Sequence, residues 1–229
     1  MNPSVIDIRD LSFAYPDSEF RLSIQEFQMM RGERIFLHGP SGSGKSTFLN
    51  LICGLLQPSS GKLQVLDLDM TKASASARDQ FRSDHLGCIF QQFNLIPYLS
   101  AEENILISAW NSSRRWRRDR FASPEEEARF LAKRLGVSDV LGQMSSKLSV
   151  GQQQRIAAAR SFMGAPELLI ADEPTSALDV ERQADFIKLL IELACDFEMA
   201  LLFVSHNHEL SSHFERKMDF EVVSGDLKS

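Results

Sequence analysis

The run Gly39-Pro40-Ser41-Gly42-Ser43-Gly44-Lys45-Ser46-Thr47 joins glycine, lysine and hydroxyl residues at a spacing suited to phosphate. Gly39, Gly42 and Gly44 let the backbone turn with its N–H groups pointing inward, making a nest for phosphate oxygens. A helix opening just behind the loop adds the positive end of its dipole. Lys45 can reach the β- and γ-phosphates of a nucleoside triphosphate, and the Ser46 hydroxyl is placed to bind Mg2+. The setting gives the match its weight. Arg34–His38 (RIFLH) is an apolar strand entering the loop, and Ser46–Leu56 carries Phe48, Leu49, Ile52, Leu55 and Leu56 at helical spacing up to Pro58.

A second cluster follows at Glu167–Pro174, ELLIADEP. Four apolar residues form a strand whose C-terminal end carries two acids. Asp172 can hold Mg2+ through its water shell, and Glu173 can orient or deprotonate an attacking water. An apolar strand followed by two acids is common and by itself more often structural. Beside a phosphate loop it implies hydrolysis, because parallel sheets gather ligands at the C-terminal ends of their strands.

The elements that position these residues alternate along the chain. Ile6 and Ile8, then Leu11, Phe13 and Tyr15, fall on alternate positions and predict strands ending at Pro16. Lys62–Leu68 alternates again. From about Gln92 to Met163 the pattern becomes helical, broken at Pro97, Gly136 and Gly142, with Ser123, Pro124 and Glu126 predicting a capped helix start. Leu168–Ala171 and Ala200–Ser205 are buried-strand runs flanking an amphipathic helix near Val180–Cys195, and the apolar stretch Phe220–Val223 comes last. Strands alternating with helices predict an α/β core with a largely parallel sheet, and the helical middle an inserted subdomain.

Composition excludes several classes. With 43% apolar and 24% charged residues the chain is ordinary and globular, and its 229 residues can bury a sizeable core. The net charge of −6 argues against bulk electrostatic binding of nucleic acid. Cys53, Cys88 and Cys195 form no CxxC pair, so a metal cage or disulfide framework is not expected. No apolar run approaches the roughly 20 residues needed to span a bilayer, and MNPSVIDIRD lacks the regions of a secretory signal. The expected setting is the cytoplasm.

From Val5 to Gly225 the sequence resembles the ATP-binding cassette ATPases, most closely the branch of lipoprotein-release and macrolide-export ATPases. LSVGQQQR (Leu148–Arg155) looks like that family's signature motif, leading into the helix IAAARSFM. The resemblance implies a phosphate-loop NTPase core with a mainly parallel sheet and flanking helices. It adds an N-terminal antiparallel β subdomain and an α-helical subdomain at about 92–163, all within one domain spanning 1–229. It further implies that Ser149, Gly151 and Gln152 meet the γ-phosphate bound to an opposite subunit, so that two ATPs are sandwiched in a twofold dimer. By resemblance Tyr15 stacks on adenine, though a strand-end core tyrosine is the plainer alternative. Gln91, or Gln92 in the neighbouring register, senses Mg2+ and the attacking water. Ser176–Asp179 crosses the dimer interface, and His206 contacts the γ-phosphate. Val150 departs from the pattern, standing where the family carries the first glycine of LSGGQ. A β-branched residue tolerates positive φ poorly, so a loop needing that conformation would be strained; a working site with altered dimer affinity is expected.

The mechanism implied is MgATP-driven closure of a homodimer, with hydrolysis reopening it. The chain is expected to serve integral-membrane permease subunits on separate chains, peripheral on the cytoplasmic face of the inner membrane, in export or lipoprotein extraction. The segment after Gln91, with Phe93, Leu95, Ile96, Tyr98 and Leu99, is the expected docking stretch, part of which is ordinary core. A cell-division role without cargo belongs to the same branch. A soluble ATPase on nucleic acid is the contrasting class, its best argument being RRWRRDR at Arg114–Arg120. A surface face answering Glu125–Glu127 accounts better for those arginines, and no nucleic-acid partner is expected.

Overall fold

A computed structural model describes residues 4–110, 120–176, 178–220 and 227–228. The chain forms two compact units, Met1–Arg82 with Ala200–Ser229, and Ser83–Met199.

In the first unit, β1 (Ser4–Ala14) pairs antiparallel with β2 (Arg21–Met30) and β4 (Ser60–Val65), and β5 (Leu68–Asp69) closes the far side of β4. The alternation in the sequence becomes the buried face of this sheet: Ile6, Ile8, Leu11 and Phe13 from β1 and Leu22, Ile24, Phe27 and Met29 from β2. A second set of strands is parallel. β3 (Arg34–His38) lies between β8 (Ala200–Ser205) and β9 (Arg216–Phe220), with the two-residue β10 (Leu227–Lys228) antiparallel to β9. β3 and β8 occupy the spans their apolar runs predict. Aromatic rings join the layers: Phe48 of α1 (Lys45–Ile52) lies 5.4 Å from Phe27 and 5.5 Å from Phe220, while Phe36 and Phe203 stack at 5.9 Å.

α1 stops earlier than its apolar pattern predicts. Cys53 is its C-cap and Gly54 turns left-handed at φ +67°, where a Cβ would meet the Arg78 side chain at 3.0 Å. Pro58 therefore lies beyond the end rather than causing it. The predicted stretch Lys62–Leu68 is likewise cut at Val65, because Leu66 adopts φ +48°.

α2 (Ala75–His85) carries the chain into the second unit. There β6 (Leu86–Ile89) and β7 (Leu168–Asp172) run parallel in register from Leu86 beside Leu168 to Ile89 beside Ala171. Around them come α3 (Ala101–Trp110), α4 (Pro124–Arg134), α5 (Val150–Phe162) and α6 (Val180–Asp196). α5 packs hard on β6: a Cβ at Gly87 would run into the Ser161 carbonyl. α4 begins as predicted, with Pro124 at its first position and Ser123 Oγ accepting from the Glu126 N–H at 3.2 Å; the Glu126 carboxylate reaches back to the Ala122 N–H at 2.7 Å. Glu127 is buried rather than on the surface face expected for Glu125–Glu127, and it accepts from the Gly164 N–H at 2.8 Å. Residues 114–119 of that basic stretch, and 221–223 of the last apolar stretch, lie outside the described residues. Among the described residues no helix is long and apolar enough to cross a membrane.

Candidate functional site

The residues singled out in the sequence are distributed over both units. In the first, β3 delivers the chain into residues 39–44, and α1 starts immediately behind them. Gly42 and Gly44 take φ +80° and +94°, the left-handed turns that bring successive N–H groups to one side. Gly39 is demanded by space: a Cβ there would approach the Phe220 carbonyl at 2.9 Å and Ser43 Oγ at 3.1 Å. The Ser43 N–H donates to the Pro40 carbonyl at 3.3 Å, closing the loop on itself. Gly44 is the N-cap of α1, with no side-chain cap and no acid in the first turn. The N–H groups opening this helix thus lack the local oxygen that Ser123, Ser149 and Asp179 supply to α4, α5 and α6.

Lys45 is buried, and its ammonium donates to the Gly39 carbonyl at 2.6 Å and the Pro40 carbonyl at 2.8 Å. Ser41 and Ser46 face solvent. Tyr15 stands against this loop, its hydroxyl 3.2 Å from Thr47 Oγ1 and its ring edge-on to Phe13 at 4.8 Å. With an exposure of 36% it offers surface for stacking while keeping the core contact of the plainer alternative. Phe20, which the sequence pattern did not single out, completes the patch, 5.9 Å from Tyr15 and 2.9 Å from where a Gly44 Cβ would lie. His206 is exposed just past β8; since Ser205 sits in register with His38, His206 leaves the sheet beside the start of the loop.

In the second unit Gln91 follows β6 and Asp172 ends β7, and because these strands are parallel and in register the two emerge from the same edge. Glu173 takes φ +48°, so the backbone bends left-handed at the second acid, and its carbonyl accepts from the Ser176 N–H at 3.2 Å. Gln92 belongs elsewhere. With Phe93, Asn94, Leu95 and Pro97 it lines a groove of about 320 Å³ that Ser145, Ser146 and Gln153 complete. The groove is held from beneath by Arg160, which donates to the Phe93 carbonyl at 2.6 Å and the Asn94 carbonyl at 2.7 Å; burial lowers its pKa. Asn104 is fully buried and clamps Ile96, accepting from its N–H at 2.8 Å and donating to its carbonyl at 3.0 Å. Tyr98 next to the groove is 74% exposed.

Ser149 is the N-cap of α5, in a full capping box with Gln152: Ser149 Oγ accepts from the Gln152 N–H at 3.3 Å, and Gln152 Oε1 accepts from the Ser149 N–H at 2.9 Å. Val150 is the first helical residue and is not among the residues with positive φ, so the strain considered for it does not arise. Gly151 has no neighbour closer than 4.0 Å, from Leu178, to the position of a Cβ. Gln154 and Gln183 fasten the chain around Leu178, Gln154 donating to the Pro174 carbonyl and Gln183 to those of Thr175 at 3.3 Å and Leu178 at 3.0 Å.

The side-chain oxygens expected to serve a cation are the Ser46 hydroxyl in the first unit and the Gln91 carboxamide and Asp172 carboxylate in the second. Among the described residues no three His, Cys, Asp or Glu side chains stand together as a metal cage. Few hard oxygens, with water and substrate phosphate making up the rest, is the donor set that suits Mg2+.

A glycine-turned loop between strand and uncapped helix, with paired acids ending a parallel strand, defines a phosphate-loop nucleoside triphosphatase. The family model described as ABC transporter matches residues 22–176, more than half of the chain. The chain is 35% identical over 228 residues to the ABC transporter ATP-binding protein YbbA of Escherichia coli, covering 98% of this chain and 97% of that one. It is 33% identical over 222 residues to the lipoprotein-releasing system ATP-binding protein LolD of Idiomarina loihiensis, covering 94% of each. Among solved structures, the dimeric post-hydrolysis state of the ATP-binding cassette MJ0796 bound to ADP and Pi superposes with a TM-score of 0.82 at 28% identity, covering 98% of this chain and 97% of that one. This chain belongs to the ABC transporter family, as an ATP-binding subunit of the ATP-hydrolysing kind.

Proposed function

We propose that the chain works as a homodimer that sandwiches two MgATP molecules and drives permease subunits carried on separate chains. The start of α1 carries this reading: an N-terminus with a glycine cap, left-handed turns before it and no side-chain acceptor of its own suits a phosphate ligand. In this mechanism adenine stacks on Tyr15, and the phosphates lie along Gly39, Pro40, Ser41, Gly42, Ser43 and Gly44, with Thr47 behind them. Lys45 exchanges the Gly39 and Pro40 carbonyls for phosphate oxygens. Ser46, Gln91 and Asp172 hold the magnesium ion, which when bound neutralises charge on the phosphates. Glu173 takes the proton of the attacking water, and His206 donates to the transferring phosphoryl group.

Ser149 and Gly151, with Gln152, serve the nucleotide of the other protomer. The open space at Gly151 supports this, since the fold of its own unit makes no demand for glycine there. Closing and opening of the dimer is the mechanical output, received at the groove of Phe93, Leu95 and Pro97 by a permease segment. The similarity to LolD favours export or lipoprotein extraction. On this reading the chain sits on the cytoplasmic face of the membrane through its permease, and no nucleic acid is involved.

Glu173→Gln tests the scheme. The variant is expected to bind ATP, to elute as a dimer only when ATP is present, and to turn over about a hundredfold more slowly. A monomeric elution with ATP bound, or turnover near that of the unaltered chain, overturns it.

A further inference from the structure

His38 is the last residue of β3, one position before the phosphate loop, and in register with Ser205 of β8 on one side and Asp219 of β9 on the other. Its ring reaches both neighbours. Nδ1 lies 3.2 Å from Asp219 Oδ1, and Nε2 lies 3.2 Å from the carbonyl oxygen of His206. His208 packs edge-on against the ring at 5.2 Å. The turn holding His206 is braced on its far side too: the Asn207 N–H donates to Ser205 Oγ at 3.1 Å, and the Asn207 side chain accepts from the Glu209 N–H at 3.1 Å. The His206 backbone is therefore gripped between its own turn and a side chain from the neighbouring strand.

Both atoms facing the imidazole are acceptors. A neutral imidazole carries one N–H, so it can donate to Asp219 or to the His206 carbonyl and must turn a lone pair towards the other. An imidazolium donates to both. We propose that His38 is a positioning residue for His206: as an imidazolium it ties the His206 backbone to Asp219, and on losing its proton it gives up one of the two bonds. This rests on the assignment of His206 to the transferring phosphoryl group made above. The groups facing His38 are the Asp219 carboxylate from β9 and, from the turn after β8, the His206 carbonyl and the titratable His208 ring, while β8 itself presents Ser205.

The experiment uses the full chain, with steady-state ATPase measured between about pH 6 and pH 9 for the unaltered protein and for His38→Ala, Asp219→Asn and His206→Ala. Nucleotide affinity and thermal melting are followed in parallel. His38→Ala is expected to lower kcat about tenfold at the acid end, as loss of a charge-assisted hydrogen bond would, with KM for ATP within about twofold. Its deficit should be greatest where the imidazole carries both ring protons and smaller where it carries one. Asp219→Asn gives the sharper readout, because the exposed carboxamide can donate to a neutral Nδ1 while Nε2–H keeps the His206 carbonyl. Its turnover relative to His38→Ala should then hold constant across the range.

If His206→Ala is impaired but His38→Ala keeps the turnover and pH profile of the unaltered chain, the positioning role is wrong while the function of His206 stands. Unimpaired His206→Ala removes that function and this role with it. A His38→Ala protein whose affinity and melting temperature fall together with kcat, or an Asp219→Asn profile that still tracks the unaltered one, also overturns the proposal.

Discussion

Two helix starts in this chain are assigned to nucleotide phosphate, and they are built in opposite ways. α1 opens on Gly44 at φ +94°, ψ 6°, without a side-chain cap. α5 opens on Ser149 at φ −63°, ψ 157°, inside a complete capping box with Gln152. The first has no side-chain cap, so on the proposed reading phosphate completes the start of its helix. The second satisfies itself, and the Ser149 hydroxyl, which accepts from the Gln152 N–H, keeps its own proton to donate to an outside oxygen. A self-capped helix keeps its shape without nucleotide, which suits a surface that meets phosphate only when a second protomer arrives. On the proposed dimer, this asymmetry would make α1 govern whether ATP binds and α5 whether a bound ATP is enclosed and hydrolysed.

Substitutions at the two caps separate those roles. Gly44→Ala is expected to have the largest effect, because an alanine at that φ is strained by about 1–3 kcal/mol and its Cβ would press on Phe20 at 2.9 Å. Affinity of the monomer for a fluorescent ATP analogue should drop by about a hundredfold. Unchanged affinity would mean that the uncapped start of α1 is not where phosphate binds. Ser149→Ala should behave differently. Loss of the cap costs about 1 kcal/mol and a few degrees of melting temperature. Monomer affinity for ATP should stay as it was, while turnover and the ATP-dependent dimer weaken. A fall in monomer affinity would place Ser149 at its own protomer's nucleotide and erase the contrast.

The phosphate loop was legible because glycine, lysine and hydroxyls at fixed offsets have few other uses between a strand and a helix. β3, β8 and nearly all of α6 and β7 were legible from their apolar patterning, since burial imposes it. α2 escaped because only Phe81 of its residues is buried, leaving no stripe to find. β6 escaped because it is four residues long and includes Gly87, which is there to admit α5 rather than to favour a strand. Phe20 and His38 carry no motif at all; their roles arise from ring contacts and strand register that join distant parts of the chain. The left-handed bend at Glu173 was equally hidden, as glutamate has no preference for that conformation.

Val150 offers the smallest effect and the finest test of the contrast. Read from sequence, a β-branched residue in place of glycine threatens the loop before α5. In the structure it is the first residue of the helix, half exposed at 53%, where any L-residue fits. Val150→Gly should therefore relieve nothing. Glycine has the poorer helix propensity, so a loss of about 0.5 kcal/mol or less is expected, seen as a melting temperature lower by about a degree. ATPase activity should remain within about twofold of the unaltered chain. A tenfold rise would mean that valine holds the α5 start in a shape its partner nucleotide must undo, and the self-capped helix would then be an inhibited state rather than a waiting one.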